Sequence, residues 1–159
     1  MAVLEIKKMG NPVLKKVALP VEKIDKTIKK LIQDMFDTMA HAEGVGLAAP
    51  QVGESVRLIV LNLGDGPFAI INPEIVTYEG EQEGPEGCLS VLDFYGDVVR
   101  AKKVTVIGLD PKGNKFQITG EDLLARALQH EIDHLDGILY VERAKSLYRQ
   151  EKNEEFELE

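Results

Sequence analysis

Cysteine occurs once in this 159-residue chain, tryptophan not at all, and aromatic residues make up only 6%. A lone thiol, Cys88, excludes an intramolecular disulfide, so the fold has to be held by a packed core. At this length one domain, residues 1–159, can bury such a core. Long apolar runs are also missing. No segment approaches the ~18 consecutive apolar residues of a membrane helix. Residues 1–10 lack the uninterrupted apolar stretch of a secretory signal, and a cytosolic protein is expected. Positive charge is scarce: 19 Lys and Arg against 27 Asp and Glu leave a net charge of −8. That balance excludes broad electrostatic binding to nucleic acid or to an anionic membrane. The lysines are nevertheless uneven, with Lys7, Lys8, Lys15, Lys16, Lys23, Lys26, Lys29 and Lys30 in the first thirty residues. They read as a solvated helix face and its approach, with docking on a polyanion as the alternative.

What is present is a soluble globular composition, 44% hydrophobic and 29% charged. From Val21 to Met39 the residues Ile24, Ile28, Leu31, Ile32, Met35, Phe36 and Met39 recur at helical spacing. Asp25 is the expected N-cap and Gly44 or Gly46 the stop, with the Met and Phe of the stripe as core material. Strand-like stretches follow at 57–63, 68–71, 75–78, 97–101, 104–109 and 116–119, separated by turn signals such as Gly64-Asp65-Gly66-Pro67. The intervals are too short for crossover helices, which predicts antiparallel pairing. A second helix is expected from Glu121 to Leu135, stopped by Gly137. Helix, strands, helix is an α+β order. The tail from Ala144 to Glu159 is charged and helix-compatible, fraying near its acidic end.

Chemistry concentrates in Gln129-His130-Glu131-Ile132-Asp133-His134. On a helix, His130 and His134 project from one face a turn apart, so both imidazoles reach one ion, and Glu131 stands beside it to take a proton from water. Two donors under-coordinate a metal, so the rest of the chain has to supply a third. His41 and Cys88 are the candidates. Cys88, in Glu86-Gly87-Cys88-Leu89-Ser90, is the better placed, in a strand-like context after a glycine. A third stretch, Gly44-Val45-Gly46-Leu47-Ala48-Ala49-Pro50-Gln51, is rich in small residues that let backbone or ligand approach closely, and it ends in an amide able to stabilise an oxyanion.

Together, in this order and at these separations, the three stretches resemble the peptide deformylases, whose pattern is G-x-G-x-A-A-x-Q, E-G-C-x-S and Q-H-E-x-D-H. The resemblance extends over nearly the whole chain. It implies antiparallel sheets around a central helix carrying H-E-x-x-H. It also implies hydrolytic removal of the formyl group from the N-formylmethionine of nascent chains, releasing formate. The resemblance makes Cys88, His130 and His134 the metal ligands and Glu131 the general base and then acid. The Gln51 side chain and the Leu89 backbone N–H would stabilise the oxyanion. Val45, Gly46 and Gly87 would contact the peptide backbone, with Val45, Leu123 and Ala127 lining the methionine pocket. The implied cofactor is one divalent ion, iron(II) first, with zinc, nickel or cobalt also suited to mixed His/Cys ligation. A bacterial cytoplasm is expected, with a transient ribosome contact as the polyanion alternative. A metallopeptidase built on H-E-x-x-H is the rival, its third ligand usually a carboxylate or histidine downstream of the helix. Two departures stand out: Leu92 where the family commonly has proline, and an acidic tail where some members end in a basic helix.

Overall fold

Residues 2–149 are described by a computed structural model. The amphipathic stripe near the N-terminus forms helix α1, Lys26–His41, with the Asp25 carboxylate accepting the Ile28 N–H at 3.0 Å. A cap of this kind contributes about 1 kcal/mol. The helix stops at the Ala42 cap, short of the expected glycines. A five-stranded sheet follows in the order β1-β2-β3-β6-β7, from β1 (Gly46–Ala48), β2 (Leu58–Leu61), β3 (Phe68–Glu79), β6 (Lys103–Leu109) and β7 (Lys115–Glu121). A three-stranded sheet, β4-β5-β8, is built from β4 (Gln82–Cys88), β5 (Val91–Arg100) and β8 (Ala144–Arg149). Every strand pair is antiparallel, as the short intervals predicted. Helix α2, Asp122–Leu135, is capped by Asp136, and Gly137 just beyond the cap has φ +75°. A Cβ there would lie 2.5 Å from the Lys15 carbonyl, so glycine is required on both counts.

The larger sheet is sandwiched between the helices. Alternation along β2 shows how: Leu58 and Val60 pack with Met35 and Met39 of α1, whereas Ile59 and Leu61 pack with Leu128 and Ile132 of α2. The strand is therefore apolar throughout. Each such fully buried side chain contributes roughly 1.5–3 kcal/mol. The other side of α2 faces the small sheet, whose core holds Leu14, Val91, Val98, Leu139 and Tyr140. Enclosure on both sides explains why every residue from Ala125 to Leu135 is buried, the polar ones included.

Three local readings need correction. The stretches at 68–71 and 75–78 are one strand, β3, which continues through Asn72-Pro73 with a register shift. Asn72, at φ 53°, is anchored there by paired hydrogen bonds to the Val21 backbone. Two strands lie outside the predicted stretches: β1 is only three residues of small and apolar character, and β4, for which only the context of Cys88 suggested a strand, is rich in glycine and glutamate. The start of the tail, Ala144–Arg149, is the edge strand β8 rather than helix: it pairs with β5, and Tyr148 stacks on Tyr95 with ring centroids 5.2 Å apart. The fraying expected for Glu154–Glu159 falls outside the described residues.

Candidate metal centre and active site

Helix α2 sets His130 and His134 one turn apart, with ring centroids separated by 5.1 Å. Cys88 closes β4, where the ladder with β5 shifts register between Glu86 and Cys88. Irregularities of this kind re-aim a side chain, and here the thiol sits with Sγ 3.4 Å from His134 Nε2. The donor atoms of Cys88, His130 and His134 all lie within 4.8 Å of one another. His41, the other sequence candidate, is exposed at the end of α1 and is not part of the cluster.

The donor set fits a metal ion. Glu86 Oε1 lies 2.8 Å from His130 Nδ1. Burial raises the Glu86 carboxyl, but Arg100 and His130 outweigh it and hold the group well below the usual carboxylate range, so it is ionised and only accepts. Nδ1 therefore carries the hydrogen of this bond, so a metal would be ligated through Nε2. A carboxylate–histidine pair of this kind is the usual support of a metal-bound imidazole. Burial, with the charge of His130 beside it, pushes His134 well below the ordinary histidine range, so its ring is neutral and ready to ligate. Burial opposes a charge on His130 as well, yet hydrogen bonding to Cys88 and Glu86 raises it well above that range.

Glu131 shares the helix but turns its carboxylate into the cavity. Burial pushes its carboxyl up to about 7, with His130 lowering it and Glu86 raising it. A base poised near neutrality is matched to proton transfer at working pH. Its Oε1 is buried with no hydrogen-bond partner among the described residues. Such an atom is left to engage a polar group entering the site. Gln51 is fixed alongside: its Oε1 accepts the Ala48 N–H at 2.9 Å, and its Nε2 donates to Ser90 Oγ at 3.1 Å and lies 3.5 Å from Cys88 Sγ.

A cavity of about 410 Å³ opens over this cluster, bounded by Val45 and Gly46, by Gly87, Cys88 and Leu89, and by Leu123 and Ala127 of α2. Gln51, His130 and Glu131 line it too, so the predicted site residues converge on one place. His134 alone stays behind the wall, 1% exposed. Leu92 reaches the rim, 58% exposed.

Behind the ligands lies a network that sequence reasoning missed. Glu86 takes the Arg100 guanidinium in two hydrogen bonds of 2.8 Å and Arg126 Nη1 at 2.6 Å. Arg100 reaches Asp133 at 2.6 Å, and Asp133 in turn holds Arg143. Tyr140 stacks on His130 and donates to the Phe94 carbonyl at 2.7 Å. The available signal was charge at core positions: Arg126 and Asp133 interrupt the buried helix. Glu86→Gln should weaken metal binding by about 10–100-fold, the usual cost of losing an outer-shell partner. It should also destabilise the fold by roughly 3–5 kcal/mol, because two buried guanidinium groups lose their counter-charge. Metal titration and urea unfolding measure the two effects. Wild-type values in both would remove Glu86 as the orienting group.

The family model for polypeptide deformylase matches residues 3–150. The peptide deformylase of Carboxydothermus hydrogenoformans is 53% identical over 149 residues, covering 94% of this chain and 98% of that protein. That of Heliobacterium modesticaldum is 54% identical over 146 residues, covering 92% and 97%. Among solved structures, a peptide deformylase from Legionella pneumophila superposes with a TM-score of 0.88 at 52% identity, covering 91% of this chain and 87% of that one. One from Synechococcus elongatus in complex with actinonin gives 0.87 at 41% identity, covering 90% and 79%.

Proposed function

The chain belongs to the polypeptide deformylase family, and from that premise we infer how its own residues carry the reaction. It is a metal-dependent hydrolase that removes the formyl group from the N-terminal N-formylmethionine of newly synthesised proteins, releasing formate. Cys88, His130 and His134 hold the metal in this reading, supported by their converging donor atoms. A divalent ion held there would supply Lewis-acid activation of water and polarisation of the formyl carbonyl. Iron(II) is our proposal for its identity, with zinc, nickel and cobalt compatible with the same ligands.

The nascent peptide lies extended between the β1 and β4 edges, against Val45, Gly46 and Gly87, with the methionine side chain toward Leu123 and Ala127. Leu92 at the rim tunes the fit of the peptide beyond methionine. Glu131 takes the proton of the attacking water as its oxygen bonds to the formyl carbon. Negative charge then develops on the carbonyl oxygen, met by the Gln51 amide and the Leu89 N–H. As the C–N bond breaks, Glu131 delivers the proton to the departing amine, leaving formate and a free N-terminus. The single observation that carries this reading is the ionisable carboxylate of Glu131, its buried Oε1 without a hydrogen-bond partner among the described residues, beside the Cys-His-His cluster.

Residues 1–159 act as one catalytic domain in a bacterial cytoplasm, and a transient ribosome contact would place the enzyme near its substrates. Among the described residues no helix is long and apolar enough to cross a membrane. The metallopeptidase alternative loses ground because the third donor is a cysteine upstream of α2. The test measures formate released from a formyl-methionyl tripeptide beside its acetyl analogue and casein. Turnover should be confined to the formyl peptide. Casein cleavage without formate release would favour the peptidase.

A further inference from the structure

Gly46 sits in β1 with Glu131 packed against its α-carbon. A Cβ built at Gly46 would lie 2.6 Å from Glu131 Oε2 and 3.0 Å from both Cδ and Cγ. The glycine is not needed for its backbone, since it is absent from the positive-φ glycines. Alanine could adopt this conformation; only the contact forbids it. Gly44, two residues earlier, has a different neighbour, for a Cβ there would meet Leu89 Cδ1 at 2.9 Å. The two glycines thus seat two different motifs, one the Cys88 loop and the other the H-E-x-x-H helix.

We propose that Gly46 is a positioning residue for Glu131: the missing side chain is the slot in which the carboxylate comes to rest. β1 is packed on α2 through Ala48, Leu128 and Ile132, so neither backbone can retreat. Glu131 is itself 5% exposed and closed in. An added methyl therefore has to move the carboxylate, the softest of the groups in contact. This rests on the reading of Glu131 as the base. It adds that the backbone facing the substrate on one side fixes the base on the other.

The test is a pair of double-substitution cycles on the metal-loaded enzyme. Gly46→Ala should keep one ion per chain and leave KM within about twofold, because the β1 backbone is retained. Its kcat should fall by about 10²-fold, the cost of a misplacement near 1 Å. In a Glu131→Asp background, where the carboxylate is drawn back by one methylene, the same substitution should cost less than about threefold, since only groups in contact couple. The second cycle needs no activity: Gly46→Ala should lower Tm beside Glu131 and leave it unchanged beside Glu131→Ala. If Gly46→Ala fails to fold alone, folding of the Gly46→Ala/Glu131→Ala protein supports the slot, and failure of both overturns it. Equal losses in both backgrounds, a loss of metal, or no loss at all in Gly46→Ala would overturn it. A wild-type enzyme that releases no formate would instead refute the underlying reading.

Discussion

Glu131→Gln is expected to bind metal at the wild-type level while kcat falls by at least ~10²-fold, the low end for losing a general acid–base. Glutamine has the same shape and keeps the contact with Gly46, so the cavity and the three donors are unchanged. What disappears is a group able to accept and return a proton. The structure heightens the contrast: burial has already raised this carboxyl to about 7, whereas an amide takes no proton at any working pH. Metal content by mass spectrometry and initial rates of formate release check the two halves. Near-normal turnover in fully metallated Glu131→Gln protein would take Glu131 out of the mechanism.

His134→Ala is expected to lose metal and activity together. This imidazole is buried and held neutral, with Nε2 facing Cys88 Sγ. Its removal leaves two donors, too few for the four-coordinate site such ligands build. Affinity should therefore drop by well over the ~10–100-fold that a lost outer-shell partner costs. A Tm measured with and without added metal separates the effects: the metal-dependent increment should vanish, since an ion bound to the native state stabilises it by mass action. Tight stoichiometric binding in His134→Ala would break the ligand assignment.

The site was legible because its chemistry is written in contiguous residues. His130 and His134 carry their own spacing, and Cys88 is the one thiol available. The converging motifs reduced the remaining choice between His41 and Cys88. The network around Glu86, Arg100, Arg126, Asp133 and Arg143 was not legible, since its members are charged residues drawn from β4, β5, α2 and the turn before β8. A charge in sequence reads as surface until the fold encloses it. Elements followed the same rule. β2 and α1 announce themselves by apolar period, but β4 reads Gln82-Glu83-Gly84-Pro85-Glu86-Gly87-Cys88 and owes its extension to pairing with β5. β8 is likewise a strand by virtue of its neighbour, and its local propensity gave no warning of it.

The most direct measurement is formate release as metal is added back to the stripped enzyme, on a formyl-methionyl peptide. Formate production should rise from background to a plateau at one ion per chain in the wild type. Glu131→Gln should fill to the same stoichiometry and stay near background. Full turnover by the stripped, chelated wild-type chain, or a plateau that the glutamine variant shares, would contradict a mechanism in which Cys88, His130 and His134 hold the metal and Glu131 moves the proton.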